Sequence, residues 1–145
     1  MLNLIKKKVT RLVTNNFETP YMTQYSLSFF PRLRLNIIDD GDFEMHTHPW
    51  NFTSIILYGG YKETTPDGTK TFKPGAINRV QWHQFHALKL LKNKCVTILF
   101  TSKPIVKGIQ FMVDGKVVDE FPYYLAKCKT TEQRKKLIKA YKEAL

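Results

Sequence analysis

Cysteine, histidine and long apolar runs are all scarce in this sequence. Its two cysteines, Cys95 and Cys128, are too few and too far apart for a disulfide framework or a zinc finger. They read as free thiols, which points to a reducing, cytoplasmic setting. No apolar run approaches the roughly 20 residues that a helix needs to cross a bilayer, so no membrane partner is expected. The N-terminal Met1-Leu-Asn-Leu-Ile-Lys-Lys-Lys8 has an apolar stretch too short and too interrupted for a secretory signal. A Gly-rich phosphate loop, an internal repeat and a low-complexity tract are all missing. Neither cysteine has a nearby His-Asp pattern that would make it a nucleophile.

Acidic residues are also short, 12 against 23 lysines and arginines, for a net charge of +11. The excess sits at the ends. Residues 1–13 hold Lys6, Lys7, Lys8 and Arg11 with no acid, and residues 127–145 hold seven basic residues against Glu132 and Glu143. The middle is nearly balanced, so the basicity says little about a central site. The basic termini could contact a polyanion or nucleic acid through its phosphates. The favoured reading of Arg134-Lys135-Lys136 is a solvated helix face.

What is plentiful is material for strands. A chain of 145 residues, 43% hydrophobic and 13% aromatic, suits one domain with a sizeable core. Leu2, Ile5, Val9, Leu12 and Val13 stand at roughly helical spacing, which fits a short amphipathic helix or an edge strand. Asn15, Asn16 and Pro20 mark a loop. From Pro31 the period becomes two, with Leu33, Leu35 and Ile37 on one face and Arg32, Arg34 and Asn36 on the other. Further strands are predicted over 43–48, 53–58, 61–64, 70–73, 77–81, 85–90, 95–101, 105–113 and 116–119. Turns are expected at residues 39–42, 66–68 and 74–75, at the double glycine Gly59-Gly60, and at Asp114-Gly115 as a two-residue hairpin. Thr130-Thr-Glu-Gln133 is a capping-box pattern, opening a helix with Leu137, Tyr141, Ala144 and Leu145 on one side. Many short strands followed by one helix predict an all-β sandwich or barrel.

The chain's four histidines are His46, His48, His83 and His86. On a predicted strand, His46 and His48 leave the same face and could share one ion at about 2.0–2.1 Å from each nitrogen. His83 or His86 could add a third ligand. Residues three apart on a regular strand face opposite ways, so only one of these two should enter unless Gln84 sits in a bulge. Glu44 shares the parity of the first pair and is the first-choice carboxylate. Asn51 and Gln81 are candidate neutral groups, and Trp50, Phe52, Tyr58 and Trp82 a candidate apolar lining.

These residues resemble the cupin motifs. The first cupin motif is a glycine, His-x-His, a glutamate and a second glycine, and Gly41, His46, His48 and Gly59 fit its frame. The second is a Pro-Gly followed by a histidine, matched loosely by Pro74-Gly75 and His86. His46-Thr-His48-Pro49-Trp-Asn-Phe52, Phe72-Lys-Pro-Gly75 and Gln84-Phe-His86 are similar to a subset of small, uncharacterised cupin-like proteins. The likeness covers about residues 31–125. The motif's glutamate falls on Phe52 or Thr53, and the second-motif histidine is displaced. The resemblance implies a cupin-type jelly-roll barrel with a C-terminal α-helix. It divides the chain into an N-terminal extension (1–30), the barrel (31–125) and a basic amphipathic helix (126–145). It also implies a metal set of His46, His48 and His86, and a homodimer.

Three functions compete. The first is a mononuclear oxygenase, by analogy with three-histidine cupins that use ferrous iron; Zn, Ni or Mn are the other candidates. Glu44, Gln81 or His83 would then orient a small molecule in the barrel or move protons. The second is a metal-free isomerase or epimerase of nucleotide-linked sugars, with His46 and His48 as acid and base and Arg32, Arg34 or Arg79 on a diphosphate. The third is a non-catalytic binding protein.

Overall fold

The structure, a computed structural model, describes residues 4–11, 20–42 and 44–144. The loop expected around Asn15-Asn16, together with Leu2, Leu12, Val13, Phe43 and Leu145, lies outside them. The strands are β1 (Ile5–Arg11), β2 (Pro20–Leu27), β3 (Phe30–Ile38), β4 (Met45–His46), β5 (Phe52–Tyr58) and β6 (Tyr61–Thr65). They continue as β7 (Gly68–Phe72), β8 (Ile77–Val80), β9 (Ala87–Leu90), β10 (Cys95–Thr101), β11 (Gln110–Val113) and β12 (Lys116–Asp119), followed by α1 (Glu120–Lys127) and α2 (Thr131–Ala144).

One layer is a six-stranded antiparallel sheet in the order β1-β2-β3-β10-β5-β8. The opposite layer consists of two three-stranded sheets, β12-β11-β4 and β7-β6-β9. An antiparallel bridge between His46 and His86 joins them. The undecided N-terminal segment is therefore the edge strand β1, paired with β2 from Ile5 to Arg11.

The large sheet does not have the polarity that its composition invites. Along β3, Asn36 and Ile38 are buried, whereas Leu35 is 38% exposed. In β10, Cys95, Thr97 and Leu99 face in and Phe100 is 44% exposed. In β5 the inward set is Phe52, Ser54 and Ile56, with Leu57 outside. Period-two reading places residues on faces but does not say which face a polar pocket claims.

Two clusters fill the barrel: Ile38, Ile56, Tyr61 and Cys95 at one end, and Phe52, Val80 and Leu99 with Trp50 at the other. Asp114 (φ 50) and Gly115 (φ 76) make the β11–β12 hairpin, both with the positive φ that a type I′ turn requires. The C-terminal helix is α2, and its capping box forms as the sequence indicates. Gln133 donates its backbone N–H to the Thr130 hydroxyl at 3.1 Å, and its side-chain oxygen accepts from the Thr130 N–H at 3.3 Å. The additional helix α1 sets Tyr123 against Phe111, ring centroids 3.6 Å apart and nearly parallel. No described helix is long and apolar enough to cross a membrane.

Candidate metal centre

Two short segments build the site. The strand expected over 43–48 shortens to β4, because after His46 the chain turns toward Pro49. Thr47 still pairs with Gln110, its N–H donating to the Gln110 carbonyl at 2.9 Å and its hydroxyl accepting from the Gln110 N–H at 3.0 Å. That anchoring holds His46 and His48 toward the interior on either side of it. On the second segment, His83 is in a turn closed by Gln84 N–H to the Gln81 carbonyl at 3.0 Å, not on a strand. His83 and Gln81 are exposed and do not line the cavity, and His86 is buried at 2% exposure.

His46, His48 and His86 each offer a ring nitrogen within 4.8 Å of the others, and the Nε2 atoms of His48 and His86 are 2.9 Å apart. Burial lowers the pKa of both His46 and His48, and the other two imidazoles push that of His48 down further. Neutral imidazoles with free lone pairs are what a metal ligand set needs.

Behind them stands a residue that the sequence reading missed. Glu63 on β6 is buried, and its Oε1 accepts from His86 Nδ1 at 2.6 Å and from Asn78 Nδ2 at 3.0 Å. Asn78 reaches it from β8 in the facing sheet and also donates to the Tyr61 hydroxyl at 3.1 Å. Burial raises the Glu63 pKa, but the hydrogen bonds from His86 and Asn78 outweigh it and hold the carboxylate below its ordinary value. An anionic acceptor at Nδ1 fixes the His86 tautomer and turns Nε2 into an acceptor facing the other two rings. The available signal was parity, since Glu63 shares a face with Tyr61 on an alternating strand. A lone glutamate beside Lys62 reads as surface until its partner is seen.

The histidines form one wall of a cavity of about 260 Å³. Glu44 also lines it, but its carboxylate accepts from Lys127 Nζ at 3.1 Å and from the Tyr123 hydroxyl at 3.3 Å. Trp50 and Phe52 line the cavity as expected, whereas Tyr58 is exposed at 47% and Trp82 lies outside it. Asn51 is exposed and receives the Trp82 N–H at 2.8 Å. Arg34 lies over the Trp50 ring at 4.6 Å, and Arg32 and Arg79 are exposed.

No family model and no curated protein sequence matches the chain. Solved structures do match in shape. A Streptomyces PAC13 variant with uridine has 6% identity and a TM-score of 0.52, over 70% of this chain and 78% of that one. FeII HppE has 18% identity and a TM-score of 0.50, over 70% of this chain. The match spans 58% of the length of HppE. Both relatives are cupin-superfamily proteins. The chain has a cupin fold. A cupin superfamily protein from Desulfitobacterium hafniense also matches, at 15% identity, over 70% of this chain and 79% of that one, with a TM-score of 0.42.

The three imidazoles suit a divalent metal. Two nitrogens each about 2.0–2.1 Å from one ion and at right angles around it stand about 2.9 Å apart, which is the His48–His86 separation of 2.9 Å. The carboxylate behind His86 completes the carboxylate–histidine arrangement that metal sites use.

Proposed function

We propose that this cupin binds one divalent transition metal through His46, His48 and His86 and presents a small molecule to it, with ferrous iron and oxygenase chemistry as the favoured form. The observation that carries this reading is three convergent ring nitrogens with a buried carboxylate on the far side of one of them. Three imidazole ligands would leave positions on an ion open for oxygen and substrate. Bound ferrous iron would supply oxygen activation. The protein would supply the rest: Glu63 orients His86, Phe52 and Trp50 shield the ion from water, and the cavity wall places the substrate. In this reading Gln81 and His83 take no part, and Glu44 braces α1 through Lys127 and Tyr123. FeII HppE, a relative by fold, carries ferrous iron in its name.

Elemental analysis of untagged protein, as isolated and after anaerobic reconstitution with Fe(II), tests the reading. About one equivalent of metal should bind, and His48→Ala should abolish it. Wild-type protein that takes up no metal in either state overturns the proposal. It would also favour metal-free acid–base catalysis, for which the 2.9 Å contact between His48 and His86 would be a shared proton.

A further inference from the structure

The wall opposite the histidines is polar by construction. Lys8, Gln24, Asn36 and Thr97 are cross-strand neighbours on β1, β2, β3 and β10, in register as Lys8–Gln24, Gln24–Asn36 and Asn36–Thr97. All four line the cavity. Asn36 is 4% exposed and Thr97 2% exposed, in a sheet that turns Leu35 and Phe100 outward to put them there. Burying polar side chains in place of available apolar ones is unfavourable unless something hydrogen-bonds them. Yet Asn36 Oδ1 is buried with no hydrogen-bond partner. Trp50, also on the cavity wall, has a buried Nε1 with no partner. One is an acceptor and the other a donor. A hydroxyl group serves both.

Charge narrows the occupant further. The carboxylates on the wall are already engaged by groups of the protein. Asp42 accepts from the Tyr21 hydroxyl and from the Leu88 N–H at 2.8 Å. Glu44 is paired with Lys127. Burial raises the pKa of Glu120, and Tyr141, the Ile109 backbone and, least, the charge of Lys8 offset this only in part. Among the described residues, no arginine lines the cavity. The remaining wall offers apolar rings, Phe52, Phe111 and Tyr123 among them, which suit the C–H faces of a ring-shaped polyol. The volume of about 260 Å³ lies just below the range of drug-sized pockets.

We propose that the Gln24–Asn36–Thr97 row is a binding subsite for a neutral, hydroxyl-rich small molecule of monosaccharide size. The inference rests on the metal reading for which end of that molecule reacts. Binding itself needs only the row and the rings. The strand spacing of about 4.8 Å matches hydroxyls on alternate carbons of a ring, each meeting one strand. Gln24, Asn36 and Thr97 are thus specificity determinants, all contributed by strands of the large sheet.

The test is a ligand-observed NMR titration with myo-inositol and D-xylose, using cyclohexanol and cyclohexanecarboxylate as controls, on both metal-free and metal-loaded protein. The polyols should bind in both forms and better than either control. Asn36→Leu should weaken polyol binding about tenfold, the loss expected for one hydrogen bond. The same variant should keep its metal content and melt higher than wild type without ligand, because it removes a buried unpaired acceptor. A purely structural asparagine would instead melt lower when replaced. Should Asn36→Leu fail to fold, Gln24→Leu at the half-buried neighbour should show the weakened binding. Polyols that bind no better than the controls, or variants that bind them as wild type does, overturn the inference and leave the metal reading standing. Polyol binding without any metal uptake has the opposite meaning.

Discussion

His46 and His86 are each other's backbone partners. The His46 N–H donates to the His86 carbonyl at 2.9 Å, and the His86 N–H to the His46 carbonyl at 3.0 Å. Residues that exchange both bonds across an antiparallel pair carry their side chains on one face. The seam closing the small-sheet layer and the centre of the imidazole group are therefore one feature, and the fold itself delivers two candidate ligands to the same point.

The two histidines should respond differently to truncation. His46→Ala keeps the backbone pair and removes a half-buried ring, so metal uptake should be lost with little change in urea midpoint. His86→Ala also strips Glu63 of its principal partner and leaves a buried carboxylate. Breaking a buried pair from one side typically costs about 3–5 kcal/mol. Urea unfolding of both variants checks this, and equal destabilisation would contradict the arrangement.

Glu63→Gln keeps the shape of the side chain and an oxygen able to accept from His86 or Asn78, but removes the charge. Outer-partner substitutions of this kind weaken metal affinity by about 10–100-fold. Chelator competition with Zn(II) as the probe should show that loss in a folded protein. Unchanged affinity would mean that Glu63 serves only the packing of Asn78 and Tyr61.

Much of this was legible in the sequence. Alternation at 53–58 and 95–101, the Asp114-Gly115 turn, the capping box at Thr130 and the convergence of His46 and His48 all rest on local rules. The parity rule for His83 and His86 did not apply, because His83 is in a turn and only His86 is on the bridge. What local rules could not supply was which face of β3 looks inward. Leu35 outside and Asn36 inside are decided by the cavity, a property of two sheets together. Glu63 was hidden for the same reason, because its partners are 15 and 23 residues away in sequence.

Alkali should unfold this protein readily. Burial raises the pKa of Tyr61 and of Tyr123 to about 12, and raises those of Tyr21, Tyr124 and Tyr141 as well. A tyrosine whose folded pKa exceeds the unfolded value of about 10 stays protonated in the native state while the unfolded chain ionises. Stability is thus complete below about pH 10 and falls as pH rises toward the folded values, by up to about 1.4 kcal/mol per pH unit for each such tyrosine. Tyrosinate absorbance should rise late and together with loss of near-ultraviolet circular dichroism. Ionisation of these five in an intact fold near pH 10 would show that they are not held as described.

Gly59 offers a test of the chain path into β6. It has φ +80, and a Cβ there would stand 2.1 Å from the Lys94 carbonyl oxygen and 3.3 Å from the Cys95 Cα, all backbone that cannot swing aside. Gly75 has a similar φ of +91 but nothing within 4 Å of its Cβ position. Gly75→Ala should therefore cost only the left-handed conformation, about 1–2 kcal/mol. Gly59→Ala must add a backbone displacement at the junction of β5, β6 and β10, and the total should exceed that by several kcal/mol, within the exceptional range above about 4. Because β6 carries Glu63, the displacement should also weaken metal binding, which Gly75→Ala should leave intact. Thermal unfolding and chelator competition on the two variants side by side separate the clash from the conformational strain, and equal costs at the two glycines would refute the close approach at Lys94.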